Sequence, residues 1–511
     1  MNSNRRLLAA GAGLASGVFA LGLAQVIAGL VSPSSAPIVA LGDVVVANVP
    51  PWLKNFAVST FGTHDKVALL TVAYLVAGLL SALAGLLALR GRAGTWLVLA
   101  LGAVAALAAA TRPESTALAA LPSLIGAAAG MFVLQRLVGV IREWGRAEPG
   151  TAASLIAGRR TVIGLGSVLA VGIATGTLGN WLGARLRGAT ASRDALELPV
   201  PADPAPALRS GVEVGVKGME PFLTPNDDFY RIDTALSVPL LKAEDWSLRI
   251  HGLVEQEVTL TWAELIAGDL VERDLTLMCV SNEVGGDLTG TARWIGLPIQ
   301  PLLERAGVSK DADMVLSTSS DGWTASTPVE TLTDGRDAIL AIGMNGEPLP
   351  LEHGFPVRMI VPGLYGYVSA TKWVVDLEVT RFDRAEGYWT PRGWSERGPV
   401  KTGSRIDVPV NGEKVDAGTV TLAGIAWAEH RGITGVEVRV DGGVWQKATL
   451  GAEDSVDTWR QWYFAWDDAP KGSHQVQVRA TDGDGTVQTG DEAPPAPDGA
   501  TGWHTVSVTV R

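Results

Sequence analysis

At 511 residues the chain is longer than one hydrophobic core usually grows, so several domains are expected. A formal net charge of −12, with no run of Lys or Arg beyond a pair, excludes a basic surface for nucleic acid. A single cysteine rules out an internal disulfide and any multi-cysteine zinc site. The histidines, His64, His251, His353, His430, His474 and His504, lie outside the apolar spans and show no HExxH-type spacing, which argues against a di-histidine haem in a membrane.

The hydrophobic share is 47%, and the excess sits in the first third. A spanning helix needs roughly 20 apolar residues. Five segments qualify, the third being short: Leu7 to Val31, Val67 to Leu89, Thr95 to Ala110, Thr116 to Ile141 and Thr161 to Leu182. Residues 1–190 therefore read as an α-helical membrane bundle of about five helices. Their Leu, Ala, Val and Gly composition suits close packing in lipid without a specific ligand. Arg5, Arg6, Arg90, Arg92, Arg142, Arg146, Arg159 and Arg160 fall on one side if the spans alternate. Basic flanks mark the cytoplasmic side, so everything after Leu182 is expected outside the cytoplasm, in a multi-pass cell-membrane protein. Arg185 and Arg187 run against this orientation. The loop holding Pro50, Pro51 and Trp52 is expected outside as well. The run from Gly158 through Arg159 and Arg160 into Thr161 to Leu165 resembles an internal twin-arginine export signal, and reads equally well as the basic flank of an ordinary span.

Residues 191–214 are rich in Pro, Ala and Asp and read as an extended tether. Over 215–398, short alternating strands, Gly-containing turns and amphipathic helices at Trp262 to Ala267 and Ile299 to Ala306 indicate an α+β domain. Over 399–511 the pattern is strands alone. Val436, Val438 and Val440 alternate with polar residues into Asp441-Gly442-Gly443; Val476, Val478 and Ala480 precede Asp482-Gly483-Asp484-Gly485; Val506, Val508 and Val510 form the last strand. Period-two alternation broken by turns predicts an all-β immunoglobulin-like sandwich.

The only cysteine, Cys279, lies in Leu277-Met278-Cys279-Val280-Ser281-Asn282-Glu283-Val284-Gly285-Gly286, between an apolar strand and a polar, Gly-rich loop. A lone cysteine is most often a small buried hydrophobe. A wider set of landmarks changes the reading. Trp294-Ile295-Gly296-Leu297-Pro298 is followed by His353-Gly354-Phe355-Pro356-Val357-Arg358, Val361-Pro362-Gly363, Ser369-Ala370-Thr371-Lys372-Trp373, Gly387-Tyr388-Trp389 and Val400 through Ile406. In this order, over about residues 215 to 511, the chain resembles the sulfite oxidase family of molybdopterin-dependent oxidoreductases. The final segment, with Gly424-Ile425-Ala426-Trp427 and Trp459-Arg460-Gln461-Trp462, is similar to that family's dimerisation domain and compatible with a homodimer.

The resemblance implies a molybdenum-molybdopterin cofactor, with Cys279 as the protein's metal ligand and catalytic centre. It places Ser281 and Asn282 beside Cys279, and His353, Arg358, Ser369, Thr371 and Lys372 around the pterin and its phosphate. A guanidinium and an ammonium suit a phosphate. The opening segment Thr224 to Arg231 carries over Asn226, Tyr230 and Arg231, the last also as a catalytic residue; an ion pair of Arg231 with Asp227 or Asp228 is the plain alternative. Two departures matter. Glu283 and Val284 follow Asn282 where sulfite-oxidising members carry arginines, and Ile232-Asp233 stands where they carry Asn-His. A carboxylate there repels a small oxyanion, which counts against sulfite as the substrate.

The expected activity is two-electron oxygen-atom transfer on a small sulfur-containing or related substrate, with electrons passing to an external carrier or a membrane quinone, since no haem motif is present. Two alternatives remain open at this point: an S-oxide-type reductase of the same family, and a non-catalytic surface-binding scaffold.

Overall fold

The computed structural model describes residues 3–50, 53, 60–61, 65–112, 115, 118–144, 146, 152–186 and 188–511. Pro51, Trp52, His64, Thr116 and Arg187 lie outside the described residues. The chain divides into two compact units, Met1–Thr190 with Asp233–Leu240, and Ala191–Ile232 with Leu241–Arg511.

The first unit contains α1 (Ser3–Val31), α2 (Pro37–Asn48), α3 (Asp65–Arg90), α4 (Ala93–Ala110), α5 (Leu121–Trp144) and α6 (Ala152–Leu186). All but α2 are long and apolar enough to cross a membrane, as Asn4–Val31, Lys66–Arg90, Ala93–Ala110, Leu121–Trp144 and Gly158–Gly183. The fourth begins at Leu121, later than the hydropathy suggested, because Pro122 fits only a first helical turn, where its missing N–H costs nothing. Small residues set the packing around α1. A Cβ on Gly85 of α3 would lie 1.9 Å from the Ala9 carbonyl, and one on Gly172 of α6 would lie 2.7 Å from the Phe19 nitrogen. With no hydrophobic driving force in lipid, such close backbone approach supplies the contact.

The second unit opens with an extended stretch that is docked instead of free. The Ala202 N–H donates to the Leu270 carbonyl (2.8 Å) and Arg193 to the Leu349 carbonyl (2.9 Å). The α+β lobe follows with β1 (Ser247–Gly252), β2 (Val258–Thr261), β3 (Val271–Met278), β4 (Thr289–Pro298), β5 (Met314–Ser319), β6 (Thr324–Pro328), β7 (Ile339–Met344), β8 (Glu347–Pro348), β9 (Arg358–Ile360) and β10 (Val374–Thr380). One sheet runs β2-β1-β10-β5-β6, with β1 and β10 parallel; the other runs β3-β4-β7-β8, with β9 on β7. Helices form at Trp262–Ile266 and Gln300–Ala306, the first capped by Thr261 and Glu264 in a reciprocal capping box. Across β3 and β4, Asp274 faces Arg293 in a two-pronged ion pair of 2.8 and 2.7 Å, which fixes the register of the hairpin that carries Cys279.

The all-β lobe contains β11 (Gly403–Val408), β12 (Lys414–Val415), β13 (Gly418–Trp427), β14 (Ile433–Val440), β15 (Gln446–Lys447), β16 (Thr449–Leu450), β17 (Arg460–Ala469), β18 (Gly472–Asp482) and β19 (Thr505–Val510). Two sheets, β11-β13-β17-β16 and β12-β19-β18-β14-β15, enclose a core of Val436, Val438, Val476, Val478, Val506 and Val508. The inward positions are those the sequence alternation selects. The two lobes share a seam. Thr276 of β3 donates its N–H to the Asp457 carbonyl (2.9 Å) and accepts at its hydroxyl from the Trp459 N–H (2.8 Å), while the buried Trp459 indole donates to the Phe222 carbonyl (3.0 Å).

Candidate active site

β3 delivers Cys279 to the mouth of the β3-β4 hairpin. Its N–H donates to the Leu288 carbonyl (2.9 Å) and its carbonyl accepts from Asn282 (3.0 Å), so the loop 279–288 is closed at its base. Burial pushes the thiol above its usual range, opposed by hydrogen bonds from the N–H and hydroxyl of Ser281 and by the charge of Lys372. Ser281 is thus built to receive a thiolate. Asn282 is buried and accepts at Oδ1 from the Leu288 N–H (2.9 Å), which makes it the brace of the loop.

The loop is also held by the all-β lobe. Arg405, 6% exposed, donates to the Gly286 carbonyl (2.9 Å) and is ion-paired with Asp407 and with Glu220 (3.1 Å). His504 accepts from the Ile406 N–H at Nδ1 (3.0 Å), and its ring lies where a side chain on Gly285 would be. Burial and then Arg405 push this imidazole down to about 4, so it is neutral. Arg405→Ala is expected to cost about 3–5 kcal/mol by breaking a buried ion pair. It should also speed alkylation of Cys279 in cofactor-free protein. An unchanged alkylation rate in the folded variant would show that Arg405 does not hold the loop.

A cationic pocket is assembled from Arg358, which starts β9, and Lys372, which precedes β10. Arg358 is 4% exposed. Its guanidinium stands 5.3 Å from the Trp294 ring, one Nη donates to the His353 carbonyl (3.1 Å), and Nε has no hydrogen-bond partner among the described residues. Burial pushes it down to about 10, with Tyr230 acting in the other direction, so it stays charged. Lys372 is buried, and its Nζ donates to the Glu352 carbonyl (2.9 Å). Gly354, at φ 112°, permits this approach, since a Cβ there would lie 3.0 Å from Arg358 Cβ and 3.2 Å from Lys372 Cα. His353 packs edge-on against Phe229 at 5.7 Å, with Nδ1 lacking a partner among the described residues. Burial, then Lys372 and Arg358, and more weakly Arg231, push the imidazole down to about 3.

These groups fit an anionic, polar cofactor: two buried cations, a buried Nε and Nδ1 awaiting partners, and a thiol held by a hydroxyl. Burying the Arg358 guanidinium with Nε unpartnered among the described residues is costly, and a phosphate would supply an acceptor and a counter-charge. Tyr230 stacks on Phe229 (5.2 Å), and its phenol, pushed well up by burial, senses Cys279 and Arg358 together. Arg231 is exposed at the rim. Asn226 is committed elsewhere, donating to the Met344 carbonyl (3.2 Å) and accepting from Asn345 (2.9 Å), and its backbone bonds the His353 ring. Ser369 and Thr371 depart from the expectation that they offer hydroxyls beside Lys372. Ser369 Oγ donates within its own helical turn to the Leu364 and Tyr365 carbonyls (3.0 Å each), and Thr371 Oγ1 is joined to Ser317 Oγ (2.6 Å). Both are fully buried, so the hydroxyls satisfy the fold.

Sequence reasoning missed Arg405 and His504, which meet the loop after Cys279, Tyr365, whose phenol senses the Cys279 thiol, and the buried Glu429, which the same phenol also senses. It also missed a cleft between the Cys279 loop and the all-β lobe, whose walls include Met278, Asn282, Glu283, Tyr365, Lys401 and Thr501. Of these, Asn282 and Glu283 carried a local signal, through their places in the loop after Cys279.

Comparison with known proteins agrees with this geometry. Residues 235–389 match the model of an oxidoreductase molybdopterin binding domain, and residues 404–478 that of a bacterial Ig domain. An uncharacterized oxidoreductase, YuiH of Bacillus subtilis (strain 168), is 32% identical over 157 residues, covering 30% of this chain and 74% of that protein. Mitochondrial sulfite oxidase of Homo sapiens is 28% identical over 345 residues, covering 58% of this chain and 61% of that enzyme. The sulfane dehydrogenase SoxCD from Paracoccus pantotrophus superposes with a TM-score of 0.50 at 25% identity, covering 58% of this chain and 82% of that one. Fold and site together define a molybdopterin-binding oxidoreductase. The chain belongs to the sulfite oxidase family, whose cofactor is molybdenum held by molybdopterin.

Proposed function

We propose that the chain is a membrane-anchored enzyme that transfers an oxygen atom to or from a small, uncharged sulfur compound outside the cytoplasm. Cys279 is the metal ligand; Arg358, Lys372 and His353 hold the phosphate end of the pterin; Tyr230, Arg231, Ser281, Asn282 and Asn226 line or brace the same site. The cofactor supplies the two-electron chemistry. The chain supplies a buried cradle of positive charge and an entrance for substrate. The observation that carries the reading is the buried Arg358 and Lys372 pair beside a buried, hydroxyl-bonded thiol.

The preference for an uncharged substrate rests on the cleft. Glu283 lines it, and Lys401 is ion-paired with Asp498 (2.8 Å), so a sulfite dianion meets a carboxylate there. The neighbour named a sulfane dehydrogenase puts oxidation of neutral sulfur within reach of this fold. Reduction of an S-oxide suits the same cleft. Extracytoplasmic placement rests on the arginines grouped at Arg5 and Arg6, Arg90 and Arg92, and Arg142 to Arg160. Electrons go to or come from an external carrier or quinone, and the all-β lobe joins two copies.

The test is metal and pterin analysis of the purified full chain, followed by assay of sulfite, neutral thiols and sulfanes, and S-oxides. Turnover of the neutral compounds with poor use of sulfite is expected. Glu283→Arg should raise sulfite affinity about tenfold at low salt, with the gain fading as ionic strength rises. Well-folded protein from a molybdopterin-producing host that holds neither metal nor pterin would overturn the reading.

A further inference from the structure

The cleft beside the Cys279 loop has in its wall a hydroxyl that nothing described so far uses. Tyr365 precedes the short helical turn Gly366–Ser369. Its N–H donates to the Gly398 carbonyl (2.7 Å), and its carbonyl accepts from the Val368 N–H and the Ser369 hydroxyl (3.0 Å each), so its backbone is fixed. The turn packs on the strand that leads to Cys279. A Cβ on Gly366 would lie 3.6 Å from the Met278 carbonyl oxygen and 3.9 Å from the Tyr230 hydroxyl. The ring of Tyr365, 3% exposed, forms part of the cleft wall together with Met278, Asn282 and Glu283. At its far end it meets the all-β lobe. The phenol oxygen accepts from the Lys401 N–H (3.3 Å), and Gly499, at φ 101°, leaves room for it, since a Cβ there would run into the hydroxyl.

The phenol accepts one bond and keeps its own O–H to give. Among the described residues that O–H meets no acceptor. Burial pushes the phenol well above its usual range, with the Lys401 bond opposing, so the proton stays on. A donor aimed at the phenol oxygen also polarises the O–H and strengthens it. The all-β wall offers less. Thr402, Ser404 and Thr501 give their hydroxyl protons to Asp482 (2.8 Å), Gln488 (2.6 Å) and the Asp491 carbonyl (2.7 Å), and Gln488 gives its amide to the Gly502 carbonyl (2.8 Å). Thr489 is exposed, where water competes for its hydroxyl. The Lys401 ammonium is taken by Asp498 (2.8 Å) and the Gly499 carbonyl (2.9 Å).

Resting on the oxygen-atom-transfer reading, we propose that Tyr365 is a specificity-determining donor of the cleft, giving its O–H to the oxygen of a small, uncharged S-oxide. The oxygen of an S-oxide carries the negative end of a strong dipole and is a good acceptor, whereas the sulfur of the deoxygenated sulfide is a weak one. The cleft therefore holds the oxygenated partner more tightly than the deoxygenated one. In reduction that partner is the substrate; in oxidation it is a product that inhibits. A sulfite dianion gains the same bond but meets the Glu283 carboxylate, so the two groups together select an uncharged acceptor.

The test uses the full chain and its Tyr365→Phe variant, with metal and pterin content measured in both. Dimethyl sulfone, which has acceptor oxygens, and dimethyl sulfide, which has none, are the probes, and their binding is followed by ligand-observed NMR. Phenylalanine keeps the ring and loses only the hydroxyl. Sulfone binding should weaken by about three- to tenfold, the worth of one hydrogen bond to a neutral group, while sulfide binding stays within about twofold. Metal and pterin content should stay level. A mere strut between the lobes would affect both probes alike, so equal loss of the two, or loss of neither, overturns the proposal. Failure of cofactor-loaded wild type to bind the sulfone overturns it as well. Wild type that holds neither metal nor pterin would instead sink the oxygen-transfer reading, and a sulfone affinity that depends on Tyr365 in that same protein would still support the donor. Should the phenylalanine variant fail to fold, wild type with isotope-labelled tyrosine decides: a phenol C–O infrared band must shift with the sulfone and not with the sulfide, and the absence of that shift overturns the proposal.

Discussion

Cys279→Ser is expected to leave the second unit folded and to remove the metal's thiolate signature, with turnover falling by more than about a hundredfold. Partners one shell out from a metal already cost 10–100-fold when lost, so loss of the ligand itself sets that as a floor. The fold should tolerate the change. Serine is close to cysteine in volume, and the loop is closed by backbone bonds from Cys279 to Leu288 and Asn282, which a serine keeps. Pterin content should fall much less than activity, because the proposed phosphate contacts of Arg358 and Lys372 are left intact by the substitution. The measurements are molybdenum and pterin per chain, the metal's spectrum and the rate. A variant that keeps the thiolate signature would remove Cys279 from the site.

Arg358→Met should move two quantities in opposite directions. The cofactor-free protein should become more stable by about 1–4 kcal/mol, since a buried guanidinium whose Nε has no partner is exchanged for an apolar side chain of similar length. Pterin occupancy should drop by about tenfold to a hundredfold, the worth of one charge-assisted contact. Melting of cofactor-free protein and release of pterin by denaturation read the two separately. Lower stability together with full pterin content would mean that the guanidinium holds the fold and not the cofactor.

The apolar spans and the all-β lobe were legible because each obeys a local period: long apolar runs in one, strict alternation such as Val476, Val478 and Ala480 in the other. The ends of the spans were less so; Pro122, not hydropathy, fixes where the fourth begins. In the candidate site, Cys279, His353, Arg358 and Lys372 stood out as ordered landmarks, and in the fold the charge of Lys372 reaches both the Cys279 thiol and the His353 imidazole, which Arg358 also reaches. For Ser369 and Thr371 the sequence could not show that each hydroxyl already has a carbonyl or serine partner within the fold. Glu429, Arg405 and His504 left no local trace. Arg405 meets the Gly286 carbonyl and the Glu220 carboxylate, both far away along the chain, and only tertiary structure joins them.

The seam at Thr276 and Trp459 bears on how anything enters. Bonds from β3 to the Asp457 carbonyl, from Trp459 to Thr276 and to the Phe222 carbonyl, and from Gln461 to the Glu220 carbonyl rivet the two lobes along the strand that leads to Cys279. With the lobes held in this way, the width of the cleft depends on the side chains that line it, Glu283 and Val284 among them.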